Sequence, residues 1–258
     1  MMKWKTFVVG YALALALLLF AQHRPQQPTA ATFTQIIDLT HGIGSAPAAA
    51  VSSRALLPRP VSAAESYPQR QTTSIPFPTR LQAPAHYAPG LWTVAQIPPE
   101  RLFAPLAVID IHSQARNNAD YQLTVADIAN WERVHGQIPL GAVVAVRTGW
   151  AARWSSPRAY RNRDERGIPH FPGFSAQAVQ FLVQGRKIVG LGIDTPGIDP
   201  GNVSNSPAAD YALSHSVYQI DNLANLAKAP EVGGLALVAP AKLQDRSQAP
   251  TRVLALAK

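Results

Sequence analysis

The sequence predicts an α/β domain, and three observations carry that prediction. Short apolar runs of strand length recur between Phe33 and Leu256. At least two segments between them show helical periodicity behind a capping residue. Runs and helices alternate along the chain instead of forming separate blocks, which is the order that builds a sheet covered by helices.

The elements follow in order. Phe33 to Leu39 reads as a first strand, with Ile36, Ile37 and Leu39 apolar. Ser45 to Thr73 is rich in Ala, Ser and Pro without periodicity and reads as a long surface loop. Leu106 to Ile111 is a short apolar run, the pattern of a strand buried on both faces. Thr124 precedes Val125, and Asp127 falls in the first turn of a helix whose inward face is predicted as Ile128, Trp131 and Val134. Ala142 to Val146 is a second buried strand. Ser175 caps a second helix, with Val179, Leu182 and Val183 on one face and Gly185 as its expected stop. Lys187 to Asp194, Leu235 to Val238 and Arg252 to Leu256 complete the strands. No internal repeat recurs at a fixed period.

Composition bounds the function. Hydrophobic residues make up 47% of the 258 and charged residues 15%, enough for a sizeable core and not a disordered composition. Twelve of the 23 prolines fall between Pro25 and Pro99, so the first third is expected to be extended and irregular. The net charge of +8 is spread out. Its densest group, Arg153, Arg158, Arg161, Arg163 and Arg166, is interrupted by Pro157, Asp164 and Glu165 and reads as a solvated loop, not a nucleic-acid surface. The absence of cysteine excludes a disulfide framework, a thiolate metal site and a thiol nucleophile. No G-x-S-x-G elbow and no phosphate-binding glycine loop is present.

Residues 1–21 carry Lys3 and Lys5 followed by an uncharged, mostly apolar stretch ending at Ala21. This suits a signal peptide or an N-terminal anchor, so the chain is expected outside the cytoplasm, in the periplasm or beyond, touching a membrane only through that segment if it is retained. Residues 22–32 read as a linker, leaving 33–258 as the folded domain.

Seven segments in order then carry a family resemblance: Ile37-Asp-Leu-Thr-His41; Gln82-Ala-Pro-Ala-His-Tyr87 with Thr93 to Pro98; Arg147-Thr-Gly-Trp150; Phe171-Pro-Gly-Phe-Ser175; Gly192-Ile-Asp-Thr-Pro196 with Asp199; Ile220-Asp-Asn-Leu-Ala-Asn-Leu226; and Pro250-Thr-Arg-Val253. Together they resemble the cyclase family of hydrolases, which includes the kynurenine formamidases (arylformamidases). The resemblance implies a single swivelling β/β/α domain with a mixed sheet. It also implies a homodimer or homotetramer and hydrolysis of an amide, formamide or lactone, such as N-formylkynurenine to kynurenine. The family motif H-T-G-T-H-x-D-A-P-x-H, with a later histidine and glutamate, implies a zinc or manganese centre that activates water.

This sequence departs from that motif at the ligand positions. Pro76 and Arg80 replace the two motif histidines, Gln82 the aspartate, Ala209 the late histidine and Asp221 the glutamate. Proline and alanine offer no side-chain donor, Gln82 only a neutral carbonyl, and Arg80 a permanent positive charge. The expectation is therefore no metal cofactor, with Arg80 standing where the ion's charge would be and pairing with Asp221. His86 keeps the acid/base position, so His86 and Arg80 are the candidate catalytic residues, against a plain packing role for His86. Gln82, Asp194, Thr195, Trp92 and Asp221 are the candidate substrate-binding residues. Asp38 and His41 read as local hydrogen-bonding groups at a strand end. Two functions stay open: a hydrolase of the family type, or an exported non-catalytic relative that binds a small acidic or aromatic ligand.

Overall fold

The first strand follows Phe33 closely, and ten strands are formed among the described residues. The structure, a computed structural model, describes residues 33–42 and 78–257. The N-terminal segment of residues 1–21, the linker of residues 22–32, the Ser45 to Thr73 stretch and Pro76 lie outside the described residues. The strands are β1 (Gln35–Asp38), β2 (Arg80–Gln82), β3 (Phe103–Asp110), β4 (Gln122–Leu123), β5 (Val143–Arg147), β6 (Gly173–Phe174), β7 (Gly190–Ile193), β8 (Tyr218–Asp221), β9 (Gly234–Pro240) and β10 (Gln248–Ala257). The helices are α1 (His112–Asn117), α2 (Val125–His135), α3 (Pro157–Arg161), α4 (Ala176–Arg186) and α5 (Pro207–Ser214).

Eight strands form one mixed sheet in the order β1-β10-β2-β8-β7-β5-β3-β9, and β9 pairs again with β10, so the sheet closes on itself. β3, β5, β7 and β8 run parallel and the remaining pairs are antiparallel. β10 makes the closure: Gln248 to Pro250 pair with β2, Thr251 to Leu256 pair with β9, and Leu254 to Ala257 pair with β1. β4 and β6 form a separate two-stranded piece.

Closure sorts the apolar residues into two cores. One lies on the inner face of the ring, with Leu81, Leu106, Val108, Val143, Ala145, Ile220, Val238 and Val253. The other lies between the parallel strands and the helices, with Ile109, Val144, Val146, Leu191 and Ile193 meeting Ile128, Trp131, Val179, Leu182 and Ala212. Successive residues of β5 therefore serve different cores, which is why its sequence is apolar without alternation.

Local sequence explains the element ends. Thr124 Oγ1 accepts from Asp127 N, and the Asp127 carboxylate accepts from Thr124 N, a reciprocal cap on α2. Ser175 Oγ accepts from Ala178 N at the start of α4. Three expectations need correction. Val134 is 67% exposed, because the inward arc of α2 continues from Trp131 to His135, whose ring tilts against Trp131 at 4.8 Å. Gly185 does not stop α4. The helix runs to Arg186, held by Glu132 at 2.6 and 2.7 Å, and Lys187 takes the left-handed conformation. The arginine-rich segment is not all loop, since Ser156 caps α3 within it.

β7 shows what closing a small ring demands. A Cβ on Gly190 would stand 2.4 Å from the Tyr218 ring, and one on Gly192 would stand 2.7 Å from Leu223. Tyr218 cannot yield, because it is buried and its hydroxyl donates to the Arg101 carbonyl at 2.8 Å. Gly190→Ala is therefore expected to lower unfolding free energy by about 1–3 kcal/mol, the usual cost of overpacking. Urea denaturation checks this, and an unchanged midpoint would contradict the packing described.

Candidate functional site

The ends of the parallel strands supply the polar groups. Thr148 follows β5, Asp194 and Thr195 follow β7, and Asp221 and Asn222 end and follow β8. In open α/β sheets the carboxyl ends of strands are where ligands bind. Here β2 is laid antiparallel beside β8, with Arg80 opposite Asp221 and Gln82 opposite Gln219.

Side chains on one face of such a pair meet directly. Arg80 Nε donates to Asp221 Oδ2 at 2.8 Å, and Gln82 Nε2 donates to the same oxygen at 2.5 Å. A terminal nitrogen of Arg80 donates to the Pro196 carbonyl at 3.2 Å. The Arg80 side chain is 18% exposed and that of Asp221 fully buried. Burial pushes the Asp221 carboxyl up, while the Arg80 guanidinium and the Gln82 amide pull it back down.

A second polar layer fixes the strand ends. Asp194 Oδ1 accepts from Thr148 N at 2.9 Å and from Thr148 Oγ1 at 2.6 Å, and burial raises its carboxyl. Thr195 is buried and donates its hydroxyl to the Gly197 carbonyl. The Tyr160 hydroxyl lies 2.7 Å from Asn222 Oδ1 and 3.1 Å from the Asp194 carbonyl. Thr79 Oγ1 donates to the Asn222 carbonyl and accepts from His41 N. The His41 ring stacks on Trp154 at 3.8 Å, and burial pulls its pKa down to about 4.

The predicted residues thus fall into three places. Arg80, Gln82 and Asp221 meet in one cluster, and the anticipated pairing of Arg80 with Asp221 is formed. Asp194 and Thr195 lie in the adjoining layer, engaged in holding Thr148 and a turn. His86 follows Ala85 in a short turn, Pro84–His86, with Ser247 Oγ 3.3 Å and Gln248 Nε2 3.0 Å from its Nδ1. Gln248 is the β10 partner of Gln82, so His86 reaches the same strands by one intervening side chain. Trp92 lies under the Arg101 guanidinium at 5.2 Å and gives its carbonyl to Ala85 N. Ala209 sits in the first turn of α5, where Asp199 accepts from Ala208 N and Ala209 N. Asp38 takes the strand-end role expected of it, accepting from Thr40 N and from Arg252.

Tyr160, Asn222, Gln219 and Gln248 were not singled out by sequence. Gln219 and Gln248 carried a usable signal, being polar residues in strands whose neighbours are buried. Tyr160 had none, since it lies among arginines.

As a donor set the cluster does not fit a divalent cation. Two of the matched positions hold a guanidinium and a carboxamide nitrogen directed at the Asp221 carboxylate, and a third holds an alanine. Among the described residues no group of three or more His, Cys, Asp or Glu side chains converges as metal ligands would.

Fold and site together define an α/β protein with a closed mixed sheet and a polar cluster at its parallel strand ends. Residues 37–200 match the model of the Cyclase family, described as "Putative cyclase". The chain is 34% identical over 188 residues to an isatin hydrolase of Roseibium aggregatum, covering 69% of this chain and 70% of that one. Two solved structures are similar. Isatin hydrolase A from Labrenzia aggregata bound to benzyl benzoate has 32% identity and TM-score 0.71, covering 86% of this chain and 93% of that one. Isatin hydrolase A from Ralstonia solanacearum has 31% identity and TM-score 0.71, covering 87% and 92%. The chain belongs to the cyclase family and has its hydrolase scaffold.

Two outcomes follow. Arg80→Met leaves Asp221 buried without its cation and is expected to cost about 3–5 kcal/mol. The loss deepens as pH rises, because the folded state then holds the Asp221 proton more tightly than the unfolded chain does. Asp221→Asn should cost less, since Arg80 reaches solvent. Urea titrations of both variants at two pH values test the order, and equal costs would refute it. Separately, a histidine held neutral stabilises the fold above its unfolded pKa, near about 6.5. That contribution is lost as pH falls toward 4. His41→Phe keeps the stack on Trp154 and should flatten this acid-side decline in stability; an unaltered slope would show that His41 is not its source.

Proposed function

We propose that this chain is a metal-independent relative of the cyclase-family hydrolases, whose site takes a small acyl compound of the family's amide, formamide or lactone class without classical metal-dependent turnover. One observation carries the reading: Arg80 and Gln82 both donate to Asp221 Oδ2, at 2.8 and 2.5 Å. A guanidinium attracts and orients a carbonyl oxygen by donating hydrogen bonds. It neither binds a water as a ligand nor lowers that water's pKa. N-formylkynurenine and isatin are the first compounds to try, the second because similar proteins carry the name isatin hydrolase.

A metal-free hydrolase is the second reading. There His86 would move a proton and Arg80 would face the developing oxyanion. It draws support from the position of His86, one glutamine away from Gln82. The remaining alternative is an exported, non-catalytic binder of a small acidic or aromatic ligand.

Elemental analysis of the purified protein, with and without added Zn²⁺ or Mn²⁺, decides the first point, with both compounds assayed alongside. The expected result is substoichiometric metal and no metal-stimulated activity. Tight stoichiometric metal would overturn the reading. Hydrolysis that survives chelator and is lost in His86→Ala would select the metal-free enzyme over the binder.

A further inference from the structure

His170 stands between two carboxylates that come from different segments. Its Nδ1 lies 2.9 and 2.8 Å from the two oxygens of Asp120, in the loop between α1 and β4, and its Nε2 lies 3.6 Å from Asp164 Oδ2. Asp164 belongs to a hairpin of residues 162–170, in which Arg163 and Pro169 face each other in an antiparallel bridge. His170 N donates to the Asn162 carbonyl at 3.0 Å, and Asn162 Nδ2 donates to the His170 carbonyl at 2.7 Å. Asp164 Oδ1 accepts from Arg166 N and Ile168 N at 2.9 and 2.8 Å. The hairpin thus holds its own shape, and the His170 ring joins it to the neighbouring loop.

That junction depends on a proton. A neutral imidazole carries one N–H, so it donates to one carboxylate and turns a lone pair toward the other. An imidazolium presents an N–H on each side and answers both negative charges. The hydrogen bond with Asp120 pushes the His170 pKa up from its ordinary value, against a smaller pull from desolvation, and Asp164 adds to the rise. Other charges near the ring are engaged elsewhere. Residues 199–201 pack on Pro169 and Phe171, but the Asp199 carboxylate accepts from Ala208 N and Ala209 N, and Arg163 donates to the Gly167 carbonyl. Both ends of the hairpin lead toward the strand ends. Tyr160, two residues before it, places its hydroxyl on Asn222 Oδ1 and the Asp194 carbonyl. Phe171, directly after it, sets its ring edge-on to Trp150 at 6.4 Å.

We propose that His170 is a pH-set clip: protonated, it fastens the hairpin of residues 162–170 to the loop that carries Asp120, and on losing its proton it lets that hairpin loosen. The clip lies outside the Arg80–Asp221 cluster and holds whether the chain is a hydrolase or a binder. Its contribution is fully present below the unfolded histidine pKa of about 6.5 and is lost as pH rises through the higher folded value. The sign is opposite to that of His41, whose contribution is lost on the acid side. Because Tyr160 and Phe171 flank the hairpin, loosening it reaches the layer that holds Asp194 and Asn222.

Amide hydrogen exchange on the full chain tests this at about pH 5 and about pH 8.5, with each rate corrected for the intrinsic pH dependence of exchange. Protection of residues 162–170 should fall about threefold at the higher pH, the scale of a partly exposed ion-pair cluster, while β5 keeps its protection. In His170→Gln the difference between the two pH values should vanish. NMR titration of the His170 ring in the unaltered chain should give a midpoint above about 6.5. Equal protection of the hairpin at both pH values, a fall shared equally by β5, or a ring midpoint at or below about 6.5 would each overturn the proposal. So would the same fall in His170→Gln. The measurements on the unaltered chain decide the matter even if the variant does not fold.

Discussion

The arrangement turns on a charge brought inside and answered there. Asp221 is fully buried at the end of β8, and a carboxylate in that position requires a positive partner. β2 delivers one because its register places Arg80 directly opposite. The same three residues of β2 also join β8 to β10 and so help to close the ring. The charge pair and the closure are thus one feature: displacing β2 would expose the sheet and strand the carboxylate together.

A cation supplied by the chain differs from one supplied by a metal. It is always present and cannot be stripped by a chelator. It also has no vacant coordination position, so it brings hydrogen bonds in place of Lewis acidity. The surrounding layer is consistent with a positioned site. Thr148, Asp194, Tyr160, Asn222 and Thr79 spend their polar groups on one another, which fixes the strand ends from which Arg80, Gln82 and Asp221 project.

Much of this was legible in sequence, for identifiable reasons. The strands at Leu106, Ala142 and Leu235 announce themselves by apolar runs, and α2 and α4 by their capping residues. β2 and β8 are short and carry Arg80, Gln82, Gln219 and Asp221, so their polar faces hide the strand pattern. α5 begins with Pro207 and half of its residues are Ala or Ser, which gives little periodicity. Within the site, the pairing of Arg80 with Asp221 could be anticipated because both occupy positions aligned by the family motif. Gln219, Gln248 and Tyr160 could not, since their importance comes from register and burial, which neighbouring sequence does not encode.

The threefold pairing of β10 has a consequence for how the molecule is assembled. It is the last strand in chain order, yet it contacts β1, β2 and β9, which are scattered from the first strand to the ninth. Until β10 is in place, the ring formed by β1, β2 and β9 with the rest of the sheet is not closed. The pairing with β9 is local, but those with β1 and β2 join segments far apart along the chain, and such contacts form late and slowly. Ring closure is therefore the long-range step of folding, while the parallel strands β3, β5, β7 and β8 pair without β10.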